Sequence, residues 1–543
     1  MEARVSPLSS FRSKTFATFW AASLISNLGT LIQTVGAGWM MTQLTSSRDM
    51  VALVQSSATL PIMLFSLVAG ALADSIDRRR LMLTAQGLML SVSILLAALA
   101  FAGLLTPWLL LGFTFLLGCG TALYNPSWQA SIGDIVPRED VHSAVLLNSV
   151  GFNMMRSVGP AIGGAIVAAA GAAMAFAVNA VSYVALIGAL AIWRPNLPAP
   201  RLPRENLGHA ITAGVRYVSM SPTILVVLAR GFLFGVSAVV IVALLPLVAR
   251  EQLQGTALSY GILLGAFGLG AIAGALGNGR VTAHFDNEAI VRVAFLGFAG
   301  GCAILSVADA LWMGCIALLI AGACWVLALS LFNVSVQLST PRWVVGRALA
   351  FYQAATFGGM TLGSWIWGEV AEAHGLRTAL LGAALALAVG AAAGLKLRLP
   401  DFSDRDLGPL GSFTEPELRI DIRPRSGPIM VMVDYQVDQS DVPAFLGLMA
   451  QRRRIRIRDG ARQWALLRDL ENPDVWTESY HVPTWVEYVR HNERRTRADA
   501  EVTDQLRALH RGAGTPRVHR MIERQTVPLT DDMPLKPLSH HHH

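Results

Sequence analysis

The feature that most constrains this chain is a series of apolar runs, each about 20 residues or longer, that recurs from Phe16 to Leu397 and then stops. A run of that length crosses a roughly 30 Å hydrocarbon layer as a helix, which satisfies its own backbone N–H and C=O groups where no water can. Charge is scarce to match: 15% of the 543 residues are charged and 53% hydrophobic, which excludes an ordinary water-soluble fold. The runs predict helices over 16–44, 50–73, 81–103, 107–130, 141–169, 171–193, 222–249, 256–277, 289–308, 311–336, 346–370 and 376–397. The first run follows Arg12 and Lys14 and lacks a small-residue cleavage site, so it reads as a span and not as a leader.

With a cytoplasmic N-terminus, the loops on that side hold Arg78, Arg79, Arg80, Arg138, Arg194, Arg201, Arg204, Arg280, Arg342, Arg347, Lys396 and Arg398, against Arg48, Arg250 and Arg377 opposite. The positive-inside bias therefore predicts a multi-pass inner-membrane protein with both termini cytoplasmic. The net charge of +7 borders the spans, so no nucleic-acid partner is expected. The four cysteines lie in apolar runs without metal-ligand spacing, and neither a metal nor a cofactor is expected.

The spans repeat. Sliding the sequence by 204 positions sets Gly70-Ala71-Leu72 on Gly274-Ala275-Leu276, Pro137-Arg138 on Pro341-Arg342 and Gly159 on Gly363; Asn125 and Gln129 match Asn333 and Gln337 after a further shift of four. The expected fold is an all-α membrane protein of twelve transmembrane helices in two six-helix bundles, 1–200 and 222–399, joined by a cytoplasmic linker over 201–221. Membrane lipids are its surroundings, and a small-molecule substrate would sit between the bundles.

The segment from Gly70 to Arg80, Gly-Ala-Leu-Ala-Asp-Ser-Ile-Asp-Arg-Arg-Arg, resembles the loop signature of the major facilitator superfamily, with Asp77 in place of its usual glycine. In that resemblance Gly70, Asp74, Arg78 and Arg79 form a cytoplasmic gate, Gly70 by admitting a neighbouring helix and Asp74 by pairing with arginine. Asn125-Pro126, Asp134 to Arg138, and Asn148, Asn153 and Arg156 leading into Gly159-Pro160-Ala161-Ile162-Gly163-Gly164 are similar to the transmembrane secretion effector branch, which includes siderophore and macrolide exporters. The Gly-Pro-x-x-Gly-Gly pattern also resembles an antiporter motif, in which small residues pack closely and proline bends the helix.

Polar groups within apolar spans need a partner or an aqueous cavity. The candidate substrate-binding residues are Asn27, Gln33, Gln55, Asn125, Gln129, Asn153, Arg156, Arg230, Asn333, Gln337, Tyr352 and Gln353. Each amide either joins helices by a hydrogen bond or lines the cavity; each arginine either binds an anionic group or makes a fixed contact. Carboxylates are scarce at membrane depth, which favours a neutral, anionic or amphiphilic substrate over a cation. Glu369 is the candidate for proton coupling, the alternative being an interfacial residue. One proton falling through 100 mV releases about 2.3 kcal/mol, roughly a fiftyfold gradient. No G-x-x-x-x-G-K-[ST] phosphate loop occurs, so an ion gradient is the expected energy source.

After a Pro/Gly/Asp-rich linker over 400–427, residues 428–527 read as strand, helix, strand, strand, helical segments and strand, a cytoplasmic α+β ferredoxin-like domain. Trp476 to His481, with Trp485, Tyr488 and His491 to Arg494, resembles the antibiotic-biosynthesis-monooxygenase type of domain, which implies dimerisation through sheets. Trp476, His481 and His491 are expected to line a ligand pocket or to pack; Arg452 to Arg454 with Arg456 and Arg458 either touch anionic headgroups or face solvent. The residues 528–543 are a tail ending in His540–His543, which resembles a purification tag. The whole reads as a secondary active exporter and not an enzyme; a cargo-modifying fusion and a ligand sensor are the competing readings.

Overall fold

A computed structural model describes residues 9–136, 140–193, 207–341, 343–399, 406–408, 410–411 and 413–523, without the side chains at 9, 71, 73–75, 130, 133–134, 141–142, 145–146, 149, 153, 207 and 209–210. The chain divides into two compact units. The first holds α1 (Lys14–Leu44), α2 (Arg48–Ser75), α3 (Arg78–Phe101), α4 (Pro107–Ile135), α5 (Val141–Ala170) and α6 (Ala172–Ile192). It continues, after α7 (Leu207–Ser219) of the second unit, with α8 (Pro222–Leu247), α9 (Ala257–His284), α10 (Asn287–Ser306), α11 (Leu311–Leu338), α12 (Val345–His374) and α13 (Leu376–Ala393). Ten helices among the described residues are long and apolar enough to cross a membrane; α5 and α12 are not among those ten.

Helix starts follow local chemistry. Ser13 accepts a hydrogen bond from Phe16 N and Thr106 from Leu109 N, each satisfying a donor that the first turn leaves free. Asp77 caps α3 by accepting from Arg79 N and Arg80 N, which accounts for a carboxylate at the position where the signature has glycine. Gly171 and Gly375, at φ of 80° and 88°, are the single residues joining α5 to α6 and α12 to α13. That left-handed conformation suits glycine, and the two positions coincide under the offset that aligns the spans, so the same turn closes each half.

Packing repeats in the same way. Gly118 of α4 faces Ala58 and Pro61 of α2, while Gly322 of α11 faces Phe267 and Ala271 of α9. Gly159 of α5 meets Leu31 of α1, and Gly363 of α12 meets Val236 of α8. The pair α3 and α6 recurs as α10 and α13.

The second unit contains α7 (Leu207–Ser219), the segment 337–346 and the C-terminal elements β1 (Ile429–Gln436), α14 (Val442–Asp459), β2 (Arg462–Arg468), β3 (Val475–Val482), α15 (Trp485–Glu493), α16 (Arg497–Ala508) and β4 (Arg517–Ile522). The strands form one antiparallel sheet in the order β2-β3-β1-β4, the ferredoxin-like arrangement. Alternation along β1 sends Ile429, Val431, Val433 and Tyr435 into a core with Phe445, Met449, Trp476, Tyr480 and Leu506. Each such side chain contributes about 1.5–3 kcal/mol by leaving water. Phe413, Leu418 and Ile422 pack on this core, so the stretch read as linker belongs partly to the domain.

Three of the five arginines in the run turn to carboxylates, while Arg453 and Arg454 stay exposed. Arg452 and Arg456 are buried on Glu478 (2.8 and 3.2 Å), and Arg458 pairs with Asp459 and Asp499 (2.9 and 2.8 Å). Burial alone would raise the Glu478 carboxyl; the guanidiniums of Arg456 and Arg452 overcome it and hold it at about 2. His491 accepts from Arg456 (3.0 Å) and is kept neutral, well below its ordinary value, by burial and that cation. Within the same unit Arg494 lies over the Trp343 ring at 4.3 Å, Tyr217 of α7 meets Trp343 edge-on at 5.6 Å, and Arg458 lies 5.3 Å from the Tyr217 ring centre.

Candidate functional site

The two helix sets of the first unit meet along α5 with α9 and along α2 with α12. A Cβ at Gly164 would lie 2.7 Å from Ala257 O and 2.9 Å from Gly261 Cα, so backbone touches backbone. Its counterpart under the repeat is Gly368, where a Cβ would lie 2.9 Å from Ala52 Cβ and 3.1 Å from Asp49 Cα. The last glycine of Gly-Pro-x-x-Gly-Gly is therefore a contact point between the halves. Along α2, Ser56 Oγ donates to Thr361 O (2.9 Å), the Thr59 and Thr361 hydroxyls bond at 2.8 Å, and Ser66 donates to Ala350 O (3.2 Å).

Where α2 begins, Arg48 closes the same seam. Its guanidinium holds Glu251 at 2.9 Å and Ala371 O at 3.1 Å, and its backbone N–H donates to Glu372 at 2.7 Å. The π-helical turn Val248–Gln252 at the end of α8 brings Glu251 there. With side chains 33% and 36% exposed, the Arg48–Glu251 pair contributes about 0–1 kcal/mol, the scale of a latch that can open.

Several expected binding residues have protein partners instead. Gln33 is buried and accepts from Asn179 and from Ser93 (3.2 Å), tying α1, α3 and α6 together. Tyr352 is buried and donates to Leu329 O (3.2 Å). Arg230, fully buried, pairs with Glu288 (3.2 Å), donates to Leu397 O (3.0 Å) and lies 5.3 Å from the Phe295 ring centre. Arg292 grips the same carboxylate at 2.9 Å, and Leu399 N donates to it at 3.0 Å. In this structure these three side chains make interhelical contacts, since polar groups at this depth bond to a neighbouring helix when a partner is in reach.

The remaining positions are compatible with a passage. Asn125 and Gln129 are exposed one turn apart on α4; Asn27, Gln55, Asn333 and Gln353 are half-buried, and Gln337 is exposed at the end of α11. Arg156 is half-buried, 5.7 Å from the Phe267 ring centre across the α5–α9 seam. The side chains of Asn153 and Asp74 lie outside the described residues. Among the described residues a Cβ at Gly70 would meet nothing within 4 Å, whereas Gly164 and Gly368 approach the opposite half closely. Arg79 caps α6 by donating to Leu190 O (2.8 Å) and Ala191 O (2.7 Å), and Arg78 is half-buried. Glu369 is exposed, one turn before Glu372. Sequence reasoning missed Glu288, Arg292 and the Arg48–Glu251 pair. The signal for Glu288 was an acid at the mouth of an apolar run, one helical turn before Arg292.

The repeated packing, the apolar helices and the glycine seams define a multi-pass membrane transporter of the major facilitator type. A bacterial homologue of the human lysosomal transporter Spinster, solved in an inward-facing and unoccupied conformation, shares this fold with a TM-score of 0.58 at 14% identity, over 71% of this chain and 97% of that one. The nucleoside transporter NupG does so with a TM-score of 0.57 at 12% identity, over 70% and 98%. Within that superfamily the chain belongs to the transmembrane secretion effector family, whose pattern covers residues 5–526. It is a transporter and not an enzyme. Similar proteins include the enterobactin exporter EntS of Salmonella typhimurium, 26% identical over 340 residues (60% of this chain and 80% of that protein). The multidrug efflux pump Tap of Mycolicibacterium fortuitum is 25% identical over 388 residues, 67% of this chain and 91% of the pump.

Proposed function

We propose that this protein is a secondary active exporter of a small amphiphilic or anionic molecule, siderophore-, antibiotic- or lipid-like, working by proton-coupled alternating access. The observation that carries the reading is the pair of equivalent seams, α5 on α9 and α2 on α12, each built on a glycine that the sequence repeat maps onto the other. Two halves joined by small residues and a half-exposed ion pair separate at little cost, whereas a continuous apolar core would not. In this reading α5 and α12 complete a set of twelve spans, both termini are cytoplasmic, and the Arg48 latch closes the outer face.

Substrate enters between the halves and meets Arg156, whose guanidinium supplies the positive charge for an acidic group. The exposed amides Asn125 and Gln129, with Asn27, Gln55, Asn333 and Gln353, supply hydrogen bonds on a wetted surface. Glu369 takes the coupling proton. The relatives named for enterobactin and for multidrug efflux support the chemical class without fixing the compound.

Proteoliposomes with an imposed pH gradient test this reading with a panel of acidic, neutral and cationic amphiphiles. Acidic or neutral compounds should accumulate, a protonophore should abolish the uptake, and Arg156→Ala should lose it while expressing normally. Flux that is indifferent to the gradient, or full activity of Arg156→Ala, would overturn the mechanism.

A further inference from the structure

The C-terminal domain contains a cleft of about 570 Å³ that the transport reading does not use. This lies within the range of about 300–1,000 Å³ typical of small-molecule sites. Its floor is the inward face of β1 and β3, Val431, Val433, Tyr435 and Tyr480, with the Tyr488 ring alongside. Trp476, His481 and His491, expected at a pocket, do not line it.

Its walls carry an excess of positive charge, the five arginines Arg452, Arg456, Arg495, Arg507 and Arg520 against the one carboxylate of Glu493. Arg452 and Arg456 share the one buried carboxylate of Glu478, leaving a surplus cation between them. Arg495 adds another: its guanidinium donates to the Thr503 hydroxyl (3.0 Å), and burial, then Arg456 and Arg452, push its proton affinity down. At the mouth Arg520 donates to the Tyr488 hydroxyl at 2.6 Å. Among the described residues no carboxylate lies within salt-bridge distance of Arg495 or Arg520. Holding partly buried like charges together is costly, and an anion that takes hydrogen bonds from several of them offsets the cost.

We infer that this cleft is a binding site for a small aromatic carboxylate, its ring against the valine and tyrosine floor and its carboxylate between Arg495, Arg520 and the Arg452–Arg456 pair. The site is separate from the path assigned to transport. Arg495 and Arg520 supply charge and fork geometry; Val431, Val433 and the edges of Tyr435, Tyr480 and Tyr488 supply apolar surface.

Calorimetric titration of the full-length protein in detergent with 2-naphthoate, and with the neutral 2-naphthamide as control, tests the inference. The carboxylate should bind at least about tenfold more tightly than the amide, on the order of 1.4 kcal/mol. Arg495→Gln and Arg520→Gln should each weaken the carboxylate about tenfold without affecting the amide, while Arg495→Lys retains more affinity than Arg495→Gln. Equal binding of acid and amide overturns the inference, as does undiminished binding by the doubly substituted protein or absence of binding at millimolar naphthoate. Should Arg495→Gln disturb folding, Arg520→Gln decides the matter, because Arg520 is exposed at the mouth. Naphthoate held in the helical unit would be insensitive to both substitutions, so failure here and failure of the transport mechanism are separable.

Discussion

Replacing Glu288 by glutamine removes one negative charge from a cluster that contains two arginines. Glu288 receives Arg230 Nη1 at 3.2 Å, Arg292 Nε at 2.9 Å and Leu399 N at 3.0 Å. Arg292, with 28% of its side chain exposed, can turn to water or keep its bond to Gly394 O (3.1 Å). Arg230, at 0% exposure, cannot; it retains only Leu397 O and the Phe295 ring against its full charge. Stripping the partner from a buried ion in this way costs about 3–5 kcal/mol. An unfolding entropy of roughly 2 cal/mol/K per residue over the roughly 370 residues of the first unit is about 0.7 kcal/mol per degree, so the melting temperature of that unit should fall by about 4–7 °C. A thiol-reactive dye in detergent reads this transition, because Cys302 and Cys324 are buried until the helices part. Arg230→Met with Glu288→Met removes both charges and should recover most of the loss, since an apolar pair replaces a buried ion pair at little or no cost. If Glu288→Gln melts within about a degree of the parent, or the double substitution melts lower than the single one, the charge argument is wrong.

Three other outcomes follow from the geometry. Gly164→Leu drives a side chain into the backbone of Ala257 and Gly261, so transport in proteoliposomes should be lost while the protein still reaches the membrane; normal flux would remove the α5–α9 seam from the mechanism. Arg48→Ala should cost under about 1 kcal/mol of stability yet raise labelling of a cysteine placed at Ser56 by a membrane-impermeant maleimide, and unchanged labelling would count against the latch. In the C-terminal domain Glu478 lies at about 2 against an ordinary 4.5. A depressed acid contributes stability above its unfolded value and loses it as pH falls through the folded one, so the domain should lose roughly 3 kcal/mol between about pH 4.5 and 2. Circular dichroism melts over that window check the loss, and Glu478→Gln should be less stable at neutral pH and fall less than the parent across it, the remaining slope coming from other carboxylates.

Helix positions were legible in the sequence because a hydrocarbon layer leaves the backbone one simple way to satisfy itself, and the predicted run 107–130 and the observed Pro107–Ile135 differ only at the end. The strands were legible for a related reason: alternation from Ile429 to Tyr435 reports a sheet with one buried face. What each polar residue does was not legible, because that depends on which distant segment arrives beside it. Gln33 and Asn179 lie 146 residues apart in the chain and Arg230 and Glu288 58 apart, and no local pattern distinguishes an amide held by a neighbouring helix from one that faces a passage. The arginine run on α14 misleads for the same reason: spacing at 452, 456 and 458 looks like a solvated helix end until Glu478 and Asp499 arrive from elsewhere. The repeat escapes this limit, since it compares positions instead of environments. Gly164 and Gly368 occupy equivalent places and each crosses to the other half, while the equally duplicated pairs Gly118/Gly322 and Gly159/Gly363 pack within a half, so duplication marks a shared packing contact and carries its assignment from one half to the other. By that logic Gly368→Leu should reproduce the transport loss of Gly164→Leu. A protein that tolerates one substitution and not the other would show that the two seams, though built alike, do not share the work of closing.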